Sequence, residues 1–336
     1  MRDRRSQVVR RRAASIPAVV AAAWVLTVCY LPLVAVLVVV DVVRLKWRLP
    51  FARLVTFALC WAWLETLGVA AAAVLWSVGR GRDVGTHFRL QRWWADRLMT
   101  ALRVTCGVTI DVEAAEVLHP APVVLLVRHA SLADSLLTAW VVTEHAGLRP
   151  RVVLKRELLA DPCLDIVGNR LPNCFVDRNA EDTAPGLAEI ERMGATMDAD
   201  SVSIIFPEGT RANPAKRRRA LGRIAERDAE RAGRLERLEH VLPPRPAGTR
   251  ALLRGASGVR AGLVVGWHVG FDGLDTFGGI LAALARPRTP IRIRFDRVEP
   301  PADLDGAAFE RWLDELWLRV DREVAALERE VTGIGR

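Results

Sequence analysis

Twenty-five consecutive residues, Ile16 to Val40, carry no charge and are interrupted only by Pro17, Thr27, Tyr30 and Pro32. As a helix the run covers about 37 Å, more than the roughly 30 Å hydrocarbon core of a bilayer. A cleaved secretory signal is the competing explanation, but its apolar part is shorter, and no small-residue cleavage pattern follows before Asp41. A second apolar run, Leu54 to Val78, holds Glu65 near its middle. A charge there costs about 2.5–3.5 kcal/mol at mid-bilayer, so Glu65 is expected to be protonated, paired or shallow. Arg2, Arg4, Arg5, Arg10, Arg11 and Arg12 put the N-terminus inside by the positive-inside rule, and a hairpin returns the chain to that side. The connector carries Arg44, Lys46, Arg48 and Arg53, more positive charge than an outside loop normally bears; a re-entrant hairpin removes the conflict. Residues 1–79 are therefore read as a transmembrane or re-entrant helical hairpin anchored in the cell membrane, with everything from Arg80 onward on the cytosolic face.

The chain has 336 residues, 51% of them hydrophobic, enough for about two domains with a sizeable core. Forty-eight basic residues against 39 acidic leave a net charge of +9, which suits a polyanionic partner. Nucleic acid is set aside because the basic residues are dispersed and the single tyrosine, Tyr30, lies inside the first apolar run. Anionic membrane lipids and phosphorylated substrates remain. Cys29, Cys60, Cys106, Cys163 and Cys174 are odd in number and form no CxxC pair, which argues against a disulfide framework or a zinc site.

Beyond Arg80 the composition turns to mixed charge with short apolar runs: Val123–Val127, Val152–Leu154, Cys174–Val176, Val202–Phe206, Leu263–Trp267 and Ile291–Phe295. They are bounded by Gly, Pro or Asn, as buried strands are. Helical stretches are predicted between them, near Leu132–His145, Ala184–Asp198 and Ala220–Glu239. Strands alternating with helices predict an α/β domain with a largely parallel mixed sheet flanked by helices, over about 80–300. Residues 301–336 contain Phe309, Trp312, Leu313, Leu316, Trp317, Val320, Val324 and Leu327 at helical spacing, an amphipathic terminal helix that packs on that domain.

Chemistry in such sheets collects at strand ends. After Val123–Val127 comes Arg128-His129-Ala130-Ser131-Leu132-Ala133-Asp134. Residues five apart meet neither along a helix nor on one face of a strand, so His129 and Asp134 meet only across a turn. A strand-to-helix junction supplies one, with Ser131 as its predicted cap. The plain alternative is a capping box beside a structural histidine. After the 202–206 strand comes Phe206-Pro207-Glu208-Gly209-Thr210-Arg211. Gly209 allows close approach of backbone to a ligand, and Thr210 and Arg211 offer donors suited to phosphate. Glu208 repels phosphate unless it pairs with an arginine or accepts a ligand hydroxyl. Arg178, behind Phe175-Val176-Asp177, stands at a third strand end. By composition alone these are a polar turn and a surface ion pair.

The His129–Asp134 string matches the H-x4-D motif of the glycerolipid (lysophospholipid) acyltransferases, and Phe206–Arg211 matches their third motif residue for residue. The segment Gly168–Arg178 resembles the second motif, and His240–Arg245 the fourth in a looser form, departing from it at Pro243-Pro244. Order and spacing agree from about Pro120 to the tail, where Trp312–Trp317 (WLDELW) is similar to the 1-acylglycerol-3-phosphate and lysocardiolipin acyltransferase branch. The resemblance implies a glycerol-phosphate acyltransferase-like fold and an O-acyltransferase in which His129 is the general base and Asp134 orients it. It implies glycerol-phosphate binding by Arg178, Glu208, Gly209, Thr210 and Arg211, with Lys155 a further phosphate ligand. No metal or cofactor is implied; acyl-CoA or acyl carrier protein is the co-substrate, and charge does not choose between them. Lysophosphatidate is the leading acceptor, with lysophosphatidylglycerol or lysocardiolipin remodelling, or a non-catalytic anionic-lipid scaffold, as alternatives. A serine hydrolase, a P-loop, a dinucleotide fingerprint and an HExxH site all lack their motifs.

Overall fold

The computed structural model describes residues 5–131, 133–177, 182–271, 274, 277–286, 289–301 and 303–333. In chain order the elements are α1 (Arg5–Val43), α2 (Pro50–Ser77), α3 (Val84–Cys106), β1 (Ile110–Glu113), β2 (Val123–Val127), α4 (Asp134–Trp140), β3 (Arg149–Lys155), α5 (Pro162–Ile166), β4 (Cys174–Val176) and α6 (Ala184–Ala195). Then follow β5 (Ser201–Ile205), α7 (Pro214–Ala225), α8 (Ala229–Leu235), α9 (Pro246–Ser257), β6 (Gly262–Val269), α10 (Phe277–Leu284), β7 (Ile291–Val298) and α11 (Gly306–Thr332). The chain divides into two compact units, Met1–Val108 with Leu154–Gly186 and Ile280–Arg288, and Thr109–Val153 with Leu187–Gly279 and Thr289–Arg336.

In the first unit, α1 and α2 are each long and apolar enough to cross a bilayer. They form an antiparallel hairpin: Trp24 meets Trp63 edge to face at 5.5 Å, Trp63 Nε1 donates to Thr27 Oγ1, and Tyr30 bonds Thr56. Asp41 accepts from the Phe51 and Ala52 amides and so satisfies two of the unpaired donors at the start of α2. Helix α3 runs back beside α2 over its length. Arg53 Nε donates to the Thr105 carbonyl, Trp94 Nε1 to Glu65 at 3.0 Å, and Phe88 shares a cluster with Ala72. The Cys163 amide also points at Glu65, at 3.3 Å, so the carboxyl inside the second apolar run is hydrogen-bonded within the protein. Arg89, Arg92, Arg97 and Arg103 are exposed on α3, so α2 has a charged neighbour from end to end. Arg11 and Arg12 bond the buried Asp165 at 2.6 and 2.9 Å, so two of the arginines counted toward orientation are held by protein.

The strands lie in the order β1-β7-β6-β2-β5-β3-β4, with β3 carrying the chain from the second unit into the first. The pairs β1–β7, β2–β5, β2–β6 and β3–β5 are parallel; β6–β7 is antiparallel, which makes the sheet mixed as expected. Every residue of β2 and β5 is buried, the pattern of central parallel strands covered on both faces. Helix α9 packs on β2, and α11 packs on α9 and β6. Phe309, Leu313, Trp317, Val320, Val324 and Leu327 of α11 are buried, each side chain contributing about 1.5–3 kcal/mol. The predicted helix 220–239 is instead two helices, because Asp228 accepts from the Arg231 amide and starts α8 anew. The helix predicted to His145 changes from α to π geometry at Val141. Strand β1 has no strong sequence signal; its four residues pair with β7.

Candidate active site

Strand β2 lies between β5 and β6, with Leu126 opposite Ile205 and Val127 opposite Gly266. Parallel pairing puts the three C-terminal ends at one edge, so the segments after Val127 and Ile205 and the end of β6 emerge side by side. His129 belongs to the first, Glu208 to the second and His268 to the third.

The turn after β2 is wound around the Asp134 carboxylate. Oδ2 accepts from His129 Nδ1 at 2.8 Å, from the Ala130 amide at 2.6 Å and from the Ser131 amide at 2.8 Å. Oδ1 accepts from Ser131 Oγ at 2.7 Å and lies 3.3 Å from Nε2 of His268, a fully buried residue of β6. Ser131 therefore does not cap α4 as predicted: its hydroxyl donates to Asp134 and accepts from the Ala133 amide. Amides 130 and 131 point forward into the carboxylate instead. Burial alone would raise the Asp134 carboxyl; the His268 and His129 imidazoles and the Ser131 amide outweigh it and hold it below the ordinary carboxylate value. With Nδ1–H given to Asp134, Nε2 of His129 carries the lone pair, and the side chain stays 15% exposed. Its ring lies 4.8 Å from that of Phe206.

Glu208 is buried in the second turn, and its two oxygens accept from the His129 amide at 2.7 Å and the Leu242 amide at 2.9 Å. It is a strut between the histidine turn and the 240s loop. Burial pushes its carboxyl up to about 8, against the two amides and Arg128, which pull the other way. The Ala212 amide donates to the His129 carbonyl at 2.7 Å and fixes the turn from its far end. Gly209 has φ +73°, a conformation that favours glycine, and a Cβ there would sit 3.0 Å from Arg245 Cδ. Arg128, 1% exposed, donates to the carbonyls of His268 and His240. Asp321 of α11 accepts from the amides of Glu239, His240 and Val241.

His129, Asp134 and Glu208 are thus joined by hydrogen bonds in one unit, with Gly209, Thr210 and Arg211 on the same turn. Glu208 and Thr210 also line a cavity of about 540 Å3 with α7, Leu242–Ala247 and Glu310. Lys155 ends β3 and belongs to the other unit. Arg178 lies outside the described residues. Sequence reasoning missed His268, Arg128 and Asp321; the one available signal was an imidazole inside the apolar run Leu263–Val269, where burial demands a polar partner. Among the described residues no group of three or more His, Cys, Asp or Glu is placed to hold a metal.

Residues 109–240, which include the carboxylate-held histidine at the strand end, match the Acyltransferase family model. The matched stretch contains both the His129–Asp134 and the Phe206–Arg211 segments. A similar solved structure is the 1-acyl-sn-glycerophosphate (LPA) acyltransferase PlsC from Thermotoga maritima. It has 16% identity and a TM-score of 0.42, over 79% of this chain and 95% of that one. No curated protein matches the chain.

Proposed function

We propose that the protein is a membrane-bound O-acyltransferase that moves a fatty acyl group from a thioester to the free hydroxyl of a lysophospholipid, with lysophosphatidate as the leading acceptor and phosphatidate the product. The observation that carries this reading is the His129–Asp134 bond at a strand end inside the acyltransferase domain. Nε2 of His129 takes the hydroxyl proton as the oxygen attacks the thioester carbonyl. The tetrahedral intermediate collapses with loss of the thiolate, which takes the proton back from the imidazolium. Asp134, an anion tied by amides, stabilises that imidazolium without taking the proton itself. No acyl-enzyme forms, so neither serine nor cysteine is needed as a nucleophile.

Thr210 and Arg211 are the proposed ligands of the acceptor phosphate, with Gly209 keeping the turn open. Lys155 and Arg178 are further candidates carried by the family resemblance. The charged neighbour along α2 favours a hairpin that enters the membrane without fully crossing it, with the acyltransferase domain on the cytosolic face and its acceptor drawn from the membrane. Full-length protein in detergent, given labelled acyl-CoA or acyl carrier protein and a panel of lysophospholipids, tests the reading. Transfer to lysophosphatidate faster than to lysophosphatidylglycerol or lysocardiolipin is expected. Preference for either of the others moves the protein to remodelling, and binding to liposomes without transfer to any acceptor makes it a scaffold.

A further inference from the structure

The cavity beside the Phe206–Arg211 turn has a basic wall that the acyl-transfer step leaves unused. Helix α7 contains Lys216, Arg217, Arg218, Arg219 and Arg223 and no acidic residue. The acidic residues that balance this stretch in the sequence fall in the following turn and α8. Arg219 and Arg223 line the cavity one helical turn apart, Arg227 extends the row beyond the end of α7, and Arg245 and Lys216 complete the wall. The three lining carboxylates are engaged elsewhere. Glu208 accepts from two amides, Asp228 from the Arg231 amide, and Glu310 lies between Arg231 and Arg250. Arg231 is itself bound to Asp314 at 2.8 Å and to the Pro244 carbonyl. Partial burial and the nearby Arg223 lower the Arg245 guanidinium from its usual range, as like charges do when they converge on one space.

The spacing of the row decides what the wall fits. From Arg219 to Arg223 a helix rises about 6 Å, and Arg227 follows in the turn beyond α7. One phosphate is gripped by two or three neighbouring cations and leaves the rest of such a row idle. A row that runs past one helical turn suits phosphates held apart on one molecule. Lysophosphatidate has a single phosphate, already assigned to Thr210 and Arg211 on the turn. The donor coenzyme carries a diphosphate and a separate phosphomonoester, and Ile224, Pro243 and Pro244 give the cavity an apolar floor for its neutral part.

We infer that this cavity is the donor site, in which Arg219, Arg223, Arg227 and Arg245 bind the separated phosphates of the coenzyme A end of an acyl-CoA. The inference rests on the acyl-transfer reading for its donor, but its test needs no turnover. Calorimetric titration of full-length protein in detergent with free coenzyme A is expected to show binding. Dephospho-coenzyme A should bind about tenfold more weakly, and inorganic phosphate at least a hundredfold more weakly. Arg219→Gln/Arg223→Gln should weaken coenzyme A binding at least tenfold; Arg219→Lys/Arg223→Lys, which keeps the charges, should stay within about threefold and serves as the folding control. In steady state the glutamine pair should raise KM for acyl-CoA about tenfold and leave KM for the lysolipid within twofold.

Coenzyme A binding equal to wild type in the glutamine pair overturns the inference. So does a rise in acceptor rather than donor KM, or loss of binding to anionic vesicles with coenzyme A binding intact. A protein that binds coenzyme A as expected but transfers nothing keeps this site and loses the acyl-transfer reading. One that transfers normally in both variants loses the site alone.

Discussion

Asp134 and Glu208 are both buried carboxylates, both gripped by backbone amides in the same unit, and their acidities move in opposite directions. Burial acts on both in the same sense, so the difference comes from the neighbours. Asp134 faces two imidazoles, at 2.8 and 3.3 Å. Glu208 faces two amides and feels the negative charge of Asp134. One turn therefore holds an anion beside a base, while the other uses a carboxyl as a fastener. Two acidic residues that look alike in a motif differ in role because of what stands across from them.

Asp134→Asn should break the contrast most severely. It removes the anion that fixes the His129 tautomer and stabilises the imidazolium, and acyl transfer should fall by about 10^3-fold in kcat with unchanged far-UV circular dichroism. A fall of less than tenfold would mean that the pair is a structural cap.

The acidities themselves are read by urea denaturation midpoints against pH. Glu208 has a higher pKa in the folded state, about 8, than the ordinary 4.5, so the folded protein binds the extra proton between those values. Stability from this group is full below about pH 4.5 and declines as pH rises toward 8, by at most about 1.4 kcal/mol per pH unit. Glu208→Gln should start about 1–3 kcal/mol lower, because an amide group now faces an amide donor, and should stay flat across that window. Asp134 has the opposite sign: its folded pKa is depressed, so its contribution is present above about 3.8 and is lost as the solution is acidified through the lower folded value. A wild-type slope that survives in Glu208→Gln would assign it to another group.

His268→Gln should have the smallest effect. It removes one of the two imidazoles holding Asp134 but leaves His129 in place, so kcat should fall about tenfold, roughly 1.4 kcal/mol, with KM for the lysolipid unchanged. A change confined to KM or to the denaturation midpoint would make His268 a core residue only.

What was legible in the sequence was local. The strand runs announced themselves by continuous apolar residues between breakers, and His129 and Asp134 by a separation that only a turn closes. The helices of α11 and the first hairpin were readable because their apolar residues repeat or run unbroken. What was missed depended on distance along the chain. His268 is 134 residues from Asp134 and reaches it because β6 pairs with β2; Asp321 lies 80 residues beyond the amides it binds. Nothing local in the Glu208 motif revealed that the Leu242 and His129 amides, 34 and 79 residues away, each reach one of its oxygens. The break at Asp228 was hidden because helical periodicity continues through it, whereas its side chain accepts a hydrogen bond that a helix interior would not use.

The central claim is that Nε2 of His129 takes the proton from a lysolipid hydroxyl. Transfer of labelled acyl groups from acyl-CoA to lysophosphatidate by His129→Ala, compared with wild type at matched protein and detergent, tests it most directly. A loss of at least about 10^2-fold in kcat, with coenzyme A binding retained, is expected; transfer within a few-fold of wild type would leave His129 without that role.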